Sequence, residues 1–334
     1  MRLLIVKLSA LGDVVQTLPS LTLLKKYLPS AKVDWVVDER NAGILKGHPF
    51  IENLIVFSKS YLNSFAKLKD FVKNLRSHFY EFAIDYQGLF KSGVITGFSR
   101  SQKKVGFSNS RELSWIFYNT KLPAYDPELH AVKRYLLLTK EVLKMCKINV
   151  QEKDIPKVVW QKEFLEPRML KGNYIVIVPG ARWKTKLWEL SHWRKFVLDF
   201  KKVFPEIEVI ISGTKGEIEI KKWAEEVEKE VKGVSSFVGK ISLSNLVNLL
   251  AYARCIITVD TGPMHIASAL KVPIVALFGP TSEQRTGPWS PVQEVITADI
   301  PCRPCFKKKC PHKNCMKEIS PEKVVETTCK LINS

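Results

Sequence analysis

The sequence predicts an α/β fold made of two doubly wound, Rossmann-like domains that face each other across a cleft. Two features of the chain support this prediction. Short apolar, β-branched segments alternate with segments of helical periodicity, and the series restarts after a charged connector at residues 150–172. Strands that alternate with helices form βαβ units, which build parallel sheets. A chain of 334 residues, 46% of them hydrophobic, is long enough for two such cores.

The first series predicts an N-terminal domain over residues 1–160. Its strands are expected at residues 3–8, 32–37, 53–57, 82–85 and 103–107, with helices between them. The amphipathic segment 127–145 is expected to form the helix that closes this half of the chain.

The second series predicts a C-terminal domain over residues 161–320, followed by a terminal helix within residues 321–334. Strands are expected at residues 174–178, 208–212, 235–238, 256–259 and 274–278. Helices are expected at residues 191–203, 215–232, 243–253, 264–270 and 322–332.

The chain carries a net charge of +19, and the basic excess is spread over both halves. Such a surface favours an anionic partner, namely nucleic acid, acidic lipid or a phosphorylated substrate, although Lys-rich surfaces also occur without one. No apolar run reaches the roughly 18 residues of a membrane helix, and the N-terminus has no signal-peptide pattern. We therefore expect a cytoplasmic protein.

The most informative segment is CIITVDTGPMHIASALKVPIVALFGPT, residues 255–281. Its first strand ends at Asp260-Thr261-Gly262, and a helix with His265 in its first turn follows at once. Ligands of open α/β sheets bind beyond the carboxyl ends of the strands, and a helix that begins there offers free N–H groups to a phosphate. The segment therefore predicts a phosphate or pyrophosphate site. The alternative is an ordinary helix cap with a surface histidine.

A second candidate site lies in KLSALGDVVQTLP, residues 7–19, where the first strand runs through a loop into a helix. Asp13 falls at this turn, and a carboxylate there can act as general base towards a hydroxyl bound between the domains. Alternatively, Asp13 is only a capping or first-turn acid of the helix. Pro19 is expected to kink or split that helix.

A third candidate is the loop in IVIVPGARWKTKLWELSHW, residues 175–193, which precedes a helix that Ser191 is expected to cap. Arg182, Lys184 and Lys186 place three cations at one strand end, which suits a diphosphate. A solvated basic loop is the alternative. At the next strand end, Glu217 either accepts a hydrogen bond from a ribose hydroxyl or is a first-turn acid of its helix.

Motifs that do not occur narrow the chemistry. No G-x-G-x-x-G follows a strand, which argues against an NAD or FAD enzyme, and no complete P-loop is found. No D-x-D pair is available to hold a metal–diphosphate complex. The sequence therefore predicts a diphosphate site of backbone, Lys and Arg groups opposite a single carboxylate, with no cofactor.

Seven cysteines are present, and four of them lie close together in a Pro- and Lys-rich segment: Cys302, Cys305, Cys310 and Cys315. The C-x-x-C pair is a metal-ligand pattern, but the later spacings match no standard zinc module. A metal site, disulfides and reduced thiols all remain open for this segment. Our prediction for the catalytic site itself includes no metal.

Taken together, several motifs resemble the ADP-heptose:lipopolysaccharide heptosyltransferases of glycosyltransferase family nine. They are RLLIVKLSALGDVVQTLPSL near the start, DYQGLFKSG, VGFSNSRELSWIFYN, HAVKR, and ITVDTGPMHIASAL with its following FGPT. The resemblance covers nearly the whole chain and is greatest to the heptosyltransferase I group. It implies a GT-B fold, inversion at the anomeric carbon without a metal, and heptose transfer from an ADP-sugar to the Kdo region of lipid A.

The resemblance also implies roles for individual residues. Asp13 matches the general base, Lys186 the cation on the donor diphosphate, and Glu217 the ribose contact. The phosphate and donor-sugar loop is matched by Asp260, Thr261, Gly262, Met264 and His265. The chain departs from the heptosyltransferase I pattern at Ala181 and Arg182, which replace hydroxyl residues, and at Ile241, which replaces a Met beside the base.

On the acceptor side, the resemblance implies a phosphorylated glycolipid at the N-terminal domain, with peripheral contact to the inner face of the inner membrane. Basic residues able to meet its anions are Lys59, Lys67, Lys69, Lys91, Arg100, Lys103 and Lys104. A nucleic-acid-binding protein is the alternative from another class. It requires a stacking platform or a reading motif, and we find neither in the sequence.

Overall fold

The computed structural model describes residues 1–151, 154 and 157–333. The predicted connector at 150–172 therefore lies partly outside the described residues. The chain divides into two compact units, Met1–Gln161 (unit 1) and Lys162–Ser334 (unit 2). Among the described residues, no helix combines the length and the apolar character needed to cross a membrane.

Unit 1 contains one parallel sheet of six strands in the order β3-β2-β1-β4-β5-β6. The strands are β1 (Arg2–Val6), β2 (Lys32–Asp38), β3 (Asn53–Phe57), β4 (Tyr80–Asp85), β5 (Ser101–Phe107) and β6 (Thr120–Leu122). The helices are α1 (Leu11–Tyr27), α2 (Phe65–Leu75), α3 (Phe90–Phe98) and α4 (Ala131–Met145). Strand β1 is apolar and almost wholly buried, as expected for a central parallel strand covered on both faces.

Unit 2 repeats this topology, with the order β12-β11-β10-β7-β8-β9. Its strands are β7 (Tyr174–Val178), β8 (Glu208–Ile211), β9 (Val234–Ser236), β10 (Ile256–Val259), β11 (Ile274–Phe278) and β12 (Gln293–Thr297). Its helices are α5 (Lys162–Leu165), α6 (Leu190–Val203), α7 (Ile218–Glu230), α8 (Leu243–Ala251), α9 (Gly262–Leu270), α10 (Glu283–Thr286), α11 (Asn314–Lys317) and α12 (Pro321–Asn333). Val324 of α12 belongs to the buried core of this unit.

The strand order places a topological switch point in each unit. In unit 1 the order reverses between β1 and β4, and in unit 2 it reverses between β7 and β10. Loops that leave neighbouring strands in opposite directions open a crevice at this point, where ligands of doubly wound folds bind. The switch points therefore fix where the site residues should be sought in each unit.

A split of α1 at Pro19 and a cap at Ser191 are not found, and the structure also contains two strands that were not predicted. Helix α1 is continuous through Pro19, because its flanking turns are buried and their packing offsets the roughly 3 kcal/mol penalty of an internal proline. Ser191 lies inside α6, whose N-cap is Glu189. Strands β6 and β12 are short edge strands with exposed residues, and they lack the apolar pattern used to find the others.

Candidate active site

In unit 1, Asp13 lies in the first turn of α1, directly beyond the carboxyl end of β1. The intervening loop is held by side chains from two other strand ends. The Gln87 amide oxygen accepts from the backbone N–H groups of Leu8 and Ser9, and the Asn41 amide donates to the Leu8 carbonyl. The DYQG motif therefore fixes the loop that carries Asp13.

The Asp13 carboxylate has a protein donor on each oxygen. Oδ2 accepts from the backbone N–H of Ala10 at 3.0 Å, and Oδ1 accepts from the hydroxyl of Tyr135 at 2.8 Å. The side chain is nonetheless 40% exposed. Asp13 is therefore a first-turn acid, as one alternative held, and it is also accessible to a ligand.

The Asp13 carboxylate lies 3.7 Å from the buried ammonium group of Lys7. Lys7 follows β1 directly, and its Nζ donates to the Tyr135 hydroxyl and to the carbonyl of Tyr86. Burial lowers the pKa of Lys7, while the charges of Asp13 and Asp85 oppose this shift. Burial also raises the pKa of Tyr135 well above its usual value, so its hydroxyl keeps its proton.

In unit 2, Asp260 follows β10 and pairs with Lys186 from the loop after β7. The Lys186 Nζ lies 2.6 Å from Asp260 Oδ2, and the Thr281 hydroxyl donates to the same oxygen at 2.7 Å. The Asp260 side chain is 8% exposed and that of Lys186 17%. The pair joins the two loops that flank the switch point of this sheet.

Helix α9 begins at this pair. Thr261 is its N-cap without a side-chain cap bond, Gly262 is its first residue, and a proline follows in the first turn. Met264 and His265 are buried in the same helix. The first N–H groups of a helix have no partner within the helix, so this terminus suits an anion.

Glu217 is the N-cap residue of α7, at the end of β8. Its carboxylate makes no cap bond to α7 and instead accepts from the backbone N–H of Thr214, in the loop before the helix, at 2.6 Å. The same carboxylate lies against Gly180 and Gly213, where an added Cβ would overlap it. It therefore connects the loop after β8 with the loop after β7.

The remaining predicted donor residues also lie in strand-end loops of unit 2. Arg182 is exposed, and Ala181 and Ile241 are half-buried. The Lys186 Nζ lies 4.7 Å from the centre of the Trp183 ring, and the Nζ of Lys308 lies 5.3 Å from it. The structure thus gathers the predicted donor residues at the carboxyl edge of one sheet, in the loops after β7, β8, β9 and β10.

The predicted basic residues of unit 1 do not all share one edge. Lys59 and Lys91 lie beyond the carboxyl ends of β3 and β4; Lys91 is 4.0 Å from Asp38, and the charge of Lys59 acts on Lys91. Arg40, which the sequence interpretation did not select, is bonded to the same Asp38 carboxylate. By contrast, Arg100 precedes the first residue of β5, and Lys103 and Lys104 lie in its first half.

The cysteine segment packs against loops of the candidate donor site. The backbone N–H groups of Cys305 and Phe306 donate to the Pro280 carbonyl, and Thr185 donates to the Lys307 carbonyl. All seven cysteines are free thiols. Over residues 1–151, 154 and 157–333, no group of three or more His, Cys, Asp or Glu side chains is arranged to hold a metal ion.

Sequence interpretation missed four site residues around Asp13, namely Lys7, Tyr135, Gln87 and Asn41, and also Arg40 beside Asp38. The one signal in the sequence was the position of Lys7, a charged residue that directly follows an apolar strand. The partners of Lys7 are too far away in the chain for any local pattern to pair them.

Comparison with known proteins gives consistent matches along the chain. The sequence model for "Glycosyltransferase family 9 (heptosyltransferase)" matches residues 68–316. Lipopolysaccharide heptosyltransferase 1 of Pseudomonas aeruginosa is 30% identical over 93% of this chain and 87% of its own length. Lipooligosaccharide heptosyltransferase 2 of Campylobacter jejuni is 27% identical over 97% of this chain and 96% of its own.

Among solved structures, the E. coli heptosyltransferase WaaC with ADP-2-deoxy-2-fluoro heptose superposes with a TM-score of 0.83. The two chains are 27% identical, and the match covers 100% of each. E. coli ADP-heptose lps heptosyltransferase II, at 21% identity, shares the fold with a TM-score of 0.80.

Proposed function

Because this chain belongs to glycosyltransferase family 9, we propose that it transfers a heptose from ADP-heptose to the Kdo region of the lipopolysaccharide inner core. The protein is a heptosyltransferase with a GT-B type α/β fold. The relatives named above include enzymes called heptosyltransferase 1 and heptosyltransferase 2. We assign this chain to the first type; a different heptosyl step or sugar is the alternative.

The observation that carries this proposal is the complementary chemistry of the two switch points. Unit 1 holds an accessible carboxylate, Asp13, and unit 2 holds a helix N-terminus beside Lys186. A glycosyl transfer with inversion requires a base for the acceptor hydroxyl and a site that stabilises the departing diphosphate.

In the proposed reaction, Asp13 takes the proton of the acceptor hydroxyl while the hydroxyl oxygen bonds to the anomeric carbon. The bond from that carbon to the diphosphate oxygen breaks, and ADP leaves with the electron pair. The negative charge that grows on ADP is met by the N-terminus of α9 at Gly262 and by Lys186. Such fixed donors stabilise developing charge without reorganisation.

For the donor, we assign the base, ribose and phosphates to four loops of unit 2. Ile241 would contact the adenine, Glu217 the ribose, and Asp260, Thr261, Gly262, Met264 and His265 the phosphates and sugar. Ala181 and Arg182 replace the hydroxyl residues of the heptosyltransferase I pattern, so Arg182 or the backbone would supply the contacts there.

For the acceptor, we assign the cationic group Arg40, Lys59 and Lys91 at the carboxyl edge of unit 1. Arg40 and Lys91 contact Asp38, and Lys59 is close enough to Lys91 for their charges to interact, so the single carboxylate cannot neutralise all three. Phosphorylated acceptors and anionic lipid surfaces are both attracted by such a group. We therefore include peripheral membrane contact in the proposal.

The test is an assay of the purified chain with ADP-heptose and Kdo-containing lipid A. We expect ADP release together with a product heavier by one heptose, in the presence of a metal chelator. An acceptor that already carries the first heptose tests the alternative step. Release of ADP without a glycolipid product, or activity only with the pre-glycosylated acceptor, would overturn the assignment.

A further inference from the structure

A chain of hydrogen bonds in unit 1 runs from a buried lysine to the proposed base. The Lys7 side chain is 2% exposed, and its Nζ donates to the Tyr135 hydroxyl at 2.7 Å and to the Tyr86 carbonyl at 3.0 Å. The Tyr135 hydroxyl donates to Asp13 Oδ1 at 2.8 Å. The three side chains come from the end of β1, from α4 and from α1.

The direction of these bonds is fixed by chemistry. An ammonium group has three donors and no acceptor, so the tyrosine hydroxyl must accept from Lys7. A hydroxyl has one proton, and that proton is then left for Asp13. The arrangement thus requires an acceptor at Asp13 Oδ1, a requirement that the ionised carboxylate satisfies.

Burying a lysine is costly unless its charge is compensated. The compensation here comes from Asp13 and Asp85, whose charges both favour the ammonium form of Lys7. By reciprocity, the buried ammonium favours the ionised form of Asp13. A lysine at this position therefore acts on a carboxylate that is 40% exposed.

We propose that Lys7 and Tyr135 are positioning residues for the transfer reaction: they hold the Asp13 carboxylate in one orientation and keep it ionised until the acceptor hydroxyl is bound. This inference rests on the proposed role of Asp13 as the base. Tyr135 touches Asp13 directly, and Lys7 acts both through Tyr135 and by its charge, which lies 3.7 Å from Asp13 Oδ1.

Other titratable groups also act on this cluster, and the test has to leave them in place. Those with an electrostatic effect on Lys7 or Tyr135 are Asp85, Arg111, Tyr125 and Arg134. The hydroxyl of Tyr86 bonds instead to Thr139 on α4, one turn beyond Tyr135. Thr139 is fully buried, and its hydroxyl donates to the backbone carbonyl of Tyr135, but it takes no part in the chain of side-chain bonds that ends on Asp13.

The experiment compares Tyr135→Phe with Thr139→Val as the matched control, since each removes one buried hydroxyl from α4. For Tyr135→Phe we expect a kcat about tenfold lower and an unchanged donor KM. Loss of a hydrogen bond to a charged group should also move the acidic limb of the kcat/KM profile up by about one pH unit. Thr139→Val should leave the limb in place, and Lys7→Met should shift it in the same direction as Tyr135→Phe.

Asp13→Asn, measured in parallel, separates this inference from the proposed function. If Asp13→Asn is inactive and the limb of folded, ADP-binding Tyr135→Phe does not move, the positioning role is wrong and the base assignment stands. If Asp13→Asn keeps its activity, the base assignment itself fails. A limb that moves equally in Thr139→Val would also overturn the inference, because the effect would then be a general loss of packing.

Discussion

Each unit has a lysine–aspartate pair at its switch point. The better buried partner is the lysine in unit 1 and the aspartate in unit 2. In unit 1 the lysine of Lys7–Asp13 is 2% exposed and the aspartate 40%. In unit 2 the aspartate of Lys186–Asp260 is 8% exposed and the lysine 17%. In each pair the better buried side chain holds the more exposed one in place. Unit 1 therefore presents a carboxylate to a ligand, and unit 2 presents an ammonium group. One pair type thus suits a base in one unit and an anion site in the other.

The largest expected effect is on Asp13. We expect Asp13→Ala to lower turnover by roughly 10²–10⁴-fold, because general base catalysis is lost. ADP affinity should stay nearly unchanged, because the donor is assigned to unit 2. Steady-state rates and ADP titration calorimetry check this, with Asp199→Ala on the surface of α6 as the control. A loss of less than tenfold would remove Asp13 from the base role.

The next effect is on the cation of the second pair. Lys186→Ala should reduce turnover by about 10²-fold, as found when one donor to a developing oxyanion is removed. Unlike Asp13→Ala, it should also weaken ADP binding. Lys202→Ala, which removes an exposed lysine of α6, is the control. If rate and ADP affinity both stay at the parent values, unit 2 does not use Lys186 for the diphosphate.

A smaller effect is expected where Glu217 contacts Gly180. Gly180→Ala adds a Cβ that overlaps the Glu217 carboxylate, so this carboxylate must leave its place. Because the displaced group is the far end of a flexible side chain, the cost to stability should be small. We expect ADP affinity to fall by about tenfold through loss of the ribose contact, which corresponds to about 1.4 kcal/mol. Gly216→Ala is a control in the loop that carries Glu217, since nothing lies within 4 Å of an added Cβ there. Equal ADP affinity in both variants would argue against a ribose contact by Glu217.

The smallest effect concerns the cationic group of unit 1. A single cation near an anionic surface contributes about 1 kcal/mol, so Lys59→Gln should weaken binding to phosphatidylglycerol vesicles by about fivefold. Vesicle sedimentation at low and high salt measures this, and Lys103→Gln, on β5, serves as a comparison. Binding that is insensitive to salt and to Lys59 would exclude an electrostatic membrane contact through this group.

Much of the fold could be predicted because its strands are short apolar runs bounded by loops. The two central strands and their following motifs were found from the sequence, and the order of elements then fixes the carboxyl edge where Asp13 and Asp260 lie. A split at Pro19 and a cap at Ser191 do not occur, because local propensities were overridden by burial and by the position of the helix start.

The environment of the proposed base could not be predicted. Tyr135 lies 122 residues from Asp13 and 128 residues from Lys7 along the chain. The three side chains meet only in the folded unit, where α4 packs against α1. On sequence alone, Lys7 is one of many lysines. What distinguishes Lys7 from the other lysines is its burial, which arises only in the folded unit.

The most direct test of the two lysine–aspartate pairs uses Asp13→Asn and Lys186→Met, which change the size of the side chain little. For each variant we would measure the single-turnover rate of heptose transfer at saturating donor and the dissociation constant of ADP. We predict that Asp13→Asn loses the rate and keeps the ADP constant within about twofold, whereas Lys186→Met weakens ADP binding as well. If both variants change ADP binding equally, or if Asp13→Asn transfers heptose at a rate near that of the parent, the two pairs do not have the opposite roles assigned to them.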